Sequence, residues 1–199
     1  MADFKILGGT DPVNQSLGVM TQGLGFPLRD VEPSTAGGPV NVVVERVLDA
    51  NDFTDQEPSA LGVPLQVTFG AAQSNAFFDL DALGNITVLS EDEFVWRARF
   101  VVGREGAGGE SQIYIRSLVN GVQVGNSSHL IVDSPRVEIP VELEGVATLA
   151  LNDVIAFQIV RDTDATNSGG LRAGNPSVAG WNPSPSARLT VDRYIAVQT

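Results

Sequence analysis

The side chains with catalytic or ligating chemistry in this chain are its carboxylates, one histidine and a set of arginines. There is no cysteine, which excludes thiol catalysis, disulfide staples and thiolate metal sites. Two loops hold oxygen ligands at close spacing: Asp49, Asp52 and Asp55 in one, Asp162, Asp164 and Asn167 in the other. A hard cation such as calcium takes about six to eight oxygens. Neither loop follows the order of an EF-hand, so calcium is a weak candidate beside the plainer reading of solvated acidic loops. No other cofactor is expected. Paired carboxylates could hydrolyse glycosides, and Asp79 with Asp81, or Glu91-Asp92-Glu93, has the residue types. In a chain with 24 acidic residues such clusters arise by chance. His129 has no second histidine or spaced carboxylate beside it in sequence, and nothing resembles the G-x-S-x-G nucleophile turn. No catalytic residue is expected, and the chain reads as a non-enzyme.

The arginines point elsewhere. Eleven of the twelve basic residues are arginine, and Lys5 is the only lysine. Arg97, Arg99 and Arg116 stand at strand spacing and could share one sheet face. The net charge is -12. Pairing with carboxylates within the sheet or across a subunit contact is therefore their expected use, and direct contact with nucleic acid is not. The run Gly103 to Gly109 is glycine-rich but lacks the Lys-Ser/Thr end of a phosphate loop. Trp181 lies in the middle of a long loop, where it could stack on a sugar or fill an interface.

The elements that must hold these residues read as strands. Phe94, Trp96, Ala98 and Phe100 alternate with Val95, Arg97 and Arg99, the period of a half-buried strand. Similar patterns cover 40–48, 65–69, 76–80, 85–88, 111–116, 128–132, 136–143 and 187–197. Pro140 predicts an edge strand or a bulge. Residues 154–160 are almost continuously apolar, which suits a strand deep in a sandwich. Asn120-Gly121 predicts a tight hairpin turn. Asp162 to Pro185 reads as one long loop. No segment keeps a helical period, so the expected class is an all-β sandwich. No stretch approaches about 18 uninterrupted apolar residues, so membrane insertion is not expected. No basic head and apolar run of a signal peptide opens the sequence.

Residues 1 to about 40 differ from the rest. Glycine and proline are spread through them, with Leu17, Val19, Met20, Leu24 and Phe26 between. Either this is a mobile tail or it is an arm that orders against a partner, and the apolar residues favour the arm. Two regions are expected: 1–60, the Gly/Pro-rich arm with an anchoring strand, and 61–199, the β-sandwich.

The order of the segments from about 62 to 199 resembles the C1q/TNF-like jelly-roll family. Leu65-Gln66-Val67-Thr68-Phe69 is similar to that family's first strand. Gly84-Asn85-Ile86-Thr87 followed by Phe94-Val95-Trp96-Arg97-Ala98 resembles its glycine turn and aromatic-bearing strand, with Glu93 where glycine is usual. Asn120-Gly121 resembles its central hairpin. Leu149-Ala150-Leu151-Asn152-Asp153-Val154 is similar to its L-x-L-x-x-G-D-x-V pattern, with Asn152 in the glycine position. The resemblance implies a jelly roll of about ten strands that assembles as a homotrimer. With a short Gly/Pro-rich arm in place of a collagenous stalk, the combination looks like a bacteriophage virion protein, a capsid decoration or head-fibre protein. In that reading Leu17, Val19, Met20, Leu24 and Phe26 anchor the chain to the major capsid protein or another virion protein, and the trimer projects from the outer capsid surface. The alternative is a tail or fibre module that binds a carbohydrate or host-surface glycan through Trp181.

Overall fold

Period-two alternation specifies strands with one buried side, and such strands are stable only when their apolar sides face one another across a sandwich. The computed structural model of the chain describes residues 40–104, 109–134, 137–164, 166 and 168–198. The strands are β1 (Val40–Asp52), β2 (Leu65–Gln66), β3 (Gln73–Ser74), β4 (Phe78–Leu80), β5 (Ile86–Val88), β6 (Asp92–Gly103), β7 (Ser111–Val119), β8 (Val122–Val132), β9 (Ile139–Leu149), β10 (Val154–Arg161), β11 (Gly170–Leu171) and β12 (Ala187–Gln198).

They form two sheets. The first runs β1-β12-β6-β9, with β11 taking over from β12 along the far end of β6. The second runs β3-β4-β5-β10-β7-β8, with β2 beside β10. From β5 to β10 the chain crosses from sheet to sheet at every step except the β7–β8 hairpin. The order β1-β12-β6-β9 against β5-β10-β7-β8 is that of a jelly roll, two interlocked Greek keys. The all-β jelly-roll sandwich expected from the sequence is the fold of the described residues. Glu45–Arg193 packs as one unit, and the described residues 40–44 and 194–198 group as another.

The inward faces make the core. Phe94, Trp96, Ala98, Phe100 and Val102 of β6 are buried, as are Leu189 and Val191 of β12. From the second sheet come Ile113 and Ile115 of β7 and Ile155, Phe157 and Ile159 of β10. Phe157 meets Phe69 edge-on at 5.6 Å and Phe100 at 5.9 Å between ring centroids. Each such side chain contributes about 1.5–3 kcal/mol by leaving water.

Three local features follow from chain chemistry. Asn120 and Gly121 have φ of 52° and 76°, the positive values that a two-residue hairpin between right-twisted strands demands. Asn152 also has a positive φ, 71°, in a region that asparagine tolerates. The two turns are tied together: Asn120 Nδ2 donates to Asp153 at 2.8 Å, and Val154 N–H donates to Asn120 Oδ1 at 2.9 Å. Pro140 sits in β9, which pairs with β6 alone, so its missing donor faces the sheet edge as expected.

The expectation for 65–69 needs correction. Only Leu65 and Gln66 pair as a strand, with Ile159 and Gln158 of β10. At Thr68 the side-chain amide of Gln56 replaces a neighbouring strand: Thr68 N–H donates to Gln56 Oε1 at 2.8 Å and Gln56 Nε2 donates to Thr68 O at 3.1 Å. The strand that leads the first sheet is β1. The boundary expected near residue 60 falls in the connection from β1 to β2. The loop 162–185 is also more structured than read. It contains β11, and Gly174 and Ser184 exchange backbone hydrogen bonds of 3.0 and 2.8 Å that pinch off its tip.

Candidate functional site

The acidic loop at the end of β1 does not gather its carboxylates. Asp52 is buried and accepts from Thr54 N–H, Thr54 Oγ1, Thr68 Oγ1 and Gly70 N–H at 2.6–3.2 Å. Burial pushes its pKa up, but these hydrogen bonds outweigh burial and hold it below the usual carboxylate value. Asp49 pairs with Arg188 at 2.9 Å. Asp55 pairs with Arg172 at 3.2 Å and accepts from Ala173 N–H. Each carboxylate is thus taken by protein donors in a different direction. In the other loop, Asp162 and Asp164 are joined only by a 3.4 Å contact from Asp164 N–H to Asp162 Oδ1, and Asn167 lies outside the described residues. Among the described residues no group of three His, Cys, Asp or Glu could hold a metal ion.

Two of the other carboxylate candidates, Asp81 and Asp92, also have protein partners. Asp81 accepts from Leu83 N–H, Asn85 N–H and Asn85 Nδ2, closing the turn into β5. Desolvation pushes its pKa up, but those bonds together outweigh it and hold the carboxyl below its usual value. Asp153, lowered in the same way by Asn120 and Ala150 N–H, closes the turn into β10. Asp92 approaches Arg193 at 3.5 Å, and Arg193 also pairs with Glu45 and lies 4.1 Å over the Phe77 ring.

The outer face of the first sheet is a charge ladder. Arg97 donates to Glu144 of β9 at 2.6 Å and to Asp192 of β12 at 2.9 Å. Asp192 is 4 % exposed although it points outward, because Arg46 also binds it. That hydrogen bond raises the Arg46 pKa further. This is the carboxylate pairing expected of Arg97. Arg116 does not share the face. It lies on β7, in the other sheet, where Nε and Nη2 both donate to Gln158 Oε1 at 3.1 and 2.6 Å.

The outer face of the second sheet therefore has a different character. Tyr114 and Arg116 are two residues apart on β7 and face the same way. His129 of β8, opposite Tyr114, stacks on its ring at 4.4 Å with a 12° interplanar angle. An open depression of about 320 Å³ is lined by Pro64, Tyr114, Arg116, Gln123, Ser127 and Gln158, among others. Sequence reading missed this cluster. Its signal was the alternation Tyr114-Ile115-Arg116, which marks two polar-tipped residues on one face.

Sequence reading also missed the buried Arg161 and Arg172. Arg172 is neutralised by Asp55 and Glu57. Burial lowers the Arg161 pKa, with Glu57 opposing that shift. Trp181 is 73 % exposed and Val178 60 %, both within the tip that Gly174 and Ser184 pinch off. The anchor candidates Leu17, Val19, Met20, Leu24 and Phe26 and residues 105–108 of the glycine-rich turn lie outside the described residues.

No family model matches the chain, and no curated protein does. Among solved structures the chain is similar to the globular domain of a zebrafish complement 1qA protein, with 14% identity, 79% of this chain and 98% of that one covered, and a TM-score of 0.39. It is similar to murine APRIL at 14% identity, with 77% and 99% covered and a TM-score of 0.40. The jelly-roll assignment rests on the strand pairing itself. Among the described residues no helix is long and apolar enough to cross a membrane.

Proposed function

We propose that this chain is a non-enzymatic virion structural protein, a capsid-associated decoration or head-fibre protein that attaches through its N-terminal arm and projects a trimeric jelly roll. The observation that carries the reading is the use of the charged side chains. The carboxylates singled out for chemistry at Asp52 and Asp81 are spent on closing turns and tying strands, as expected of a body that works through its surface. The apolar residues of the arm give a segment able to bury itself against a shell. Among the described residues the long strand β8 pairs on one side only, with Val122 and Ile131 exposed on it, and an unpaired edge of that length favours cover by another subunit. Deleting residues 1–39 is expected to abolish co-sedimentation with virus particles while leaving a folded trimer by light scattering. A truncated chain that still sediments with particles, or a full chain that is monomeric at micromolar concentration, contradicts the reading.

A second reading, recognition of a host-surface glycan by a tail or fibre protein, is favoured by the exposure of Trp181 on its pinched loop. Loss of glycan-array binding on Trp181→Ala, with oligomeric state unchanged, supports it. Array binding unaffected by that change removes it.

A further inference from the structure

The depression on the outer face of the second sheet combines three features that single groups on this surface do not. The first is a cation set against a neutral partner. Arg116 directs two of its N–H groups at the amide oxygen of Gln158. A guanidinium has five such donors, so the amide fixes its plane without neutralising its charge. Among the described residues no aspartate or glutamate lines the depression. In a chain of net charge -12 this is an uncommon place to leave a cation.

The second feature is a fixed aromatic ring. His129 covers one face of Tyr114, which holds the ring upright on the sheet, and Tyr114 lines the depression beside Arg116. The third is a set of neutral polar groups at the rim. Gln123 donates to Ser127 Oγ at 3.1 Å and to Gly125 O at 3.3 Å, so an amide and a hydroxyl are held together at the mouth.

We infer that this depression binds a carboxylated pyranose, a uronic or sialic acid residue of a glycan. The carboxylate matches the planar fork of Arg116 in both charge and geometry. The apolar face of a sugar ring suits the tyrosine. Its hydroxyls suit Gln123, Ser127 and Gln158, the small number of placed polar groups that gives a pocket its specificity. A phosphate would call for more positive charge than one guanidinium. The site is separate from the Trp181 loop, and the inference does not depend on the virion assignment.

The test is a titration of the full chain by calorimetry with four probes. A glucuronate-terminated oligosaccharide and sialyllactose carry the carboxylate; a glucose oligomer and lactose are their neutral counterparts. Binding of one or both acidic probes and of neither neutral one is expected, and the stronger acidic probe tells which source the site takes. Arg116→Gln should weaken that binding by about tenfold or more, the loss of a charge-assisted pair, and raised salt should weaken it in the wild type. Tyr114→Ala should weaken it as well. Arg99→Gln, the same change of charge on the opposite sheet, should leave it unchanged. Equal binding of acidic and neutral probes, no binding of either acidic probe, or full binding by a folded Arg116→Gln variant overturns the inference.

Discussion

On the first sheet Arg97 stands between Glu144 and Asp192; on the second Arg116 stands against Gln158. Both are arginines on the outward side of a central strand, yet their surroundings differ in kind. The first face gathers Arg46, Arg97, Asp192 and Glu144 into pairs close enough to bury one carboxylate. Salt bridges at a surface contribute little individually. Here one partner is out of water, so breaking the set costs more than an exposed pair would. The second face leaves its cation with an amide and sets an aromatic stack beside it. One face holds strands together, and the other is open to a ligand.

Sterics draw the same contrast. On β9 of the first sheet, Gly145 lies opposite Trp96, and a Cβ there would overlap the indole. On β8 of the second, the space around Gly125 is empty. The largest expected effect is therefore Gly145→Val, which should cost about 3 kcal/mol and lower Tm by about 6–12 °C in a thermal melt. Gly125→Asn should cost less than about 1 kcal/mol. Equal losses at the two positions would break the comparison.

Next in size is Asp52, which anchors the end of β1. Its pKa is lower folded than unfolded, so its contribution is present above about pH 3.9 and is lost as pH falls through the lower folded value. Asp81 and Asp153 act with the same sign in the turns of the second sheet. Tm is expected to hold steady from about pH 7 to 5 and to fall below about pH 4. Asp52→Asn should lower stability at pH 7 by about 2 kcal/mol and make the acid loss shallower. A variant whose melting follows the wild type at every pH would show that the four hydrogen bonds to Asp52 do not hold the loop.

Much of the fold was legible in the sequence because its signals are local. The alternation from Phe94 to Phe100, the apolar run 154–160 and the pair Asn120-Gly121 each declare their geometry within a few residues. What was not legible depends on topology. Arg97 and Arg116 look alike in sequence, and only the pairing of β6 and β7 into different sheets separates them. The burial of Asp52 depends on Thr68 and Gly70, more than a dozen residues away in another segment. The strand expected at 65–69 was cut short by Gln56, a side chain that no periodicity reveals. Trp181 was legible as a loop tryptophan, but not the backbone pinch at Gly174 and Ser184 that presents it.

The most direct test of the contrast between the faces is a pair of thermal melts at neutral pH, Arg97→Gln beside Arg116→Gln. Arg97→Gln leaves the buried Asp192 with Arg46 alone, and should cost about 1–2 kcal/mol, or about 2–8 °C in Tm. Arg116→Gln removes a cation that neutralises nothing and should stay within about 0.5 kcal/mol of wild type. Equal losses, or a larger loss for Arg116→Gln, would contradict the account.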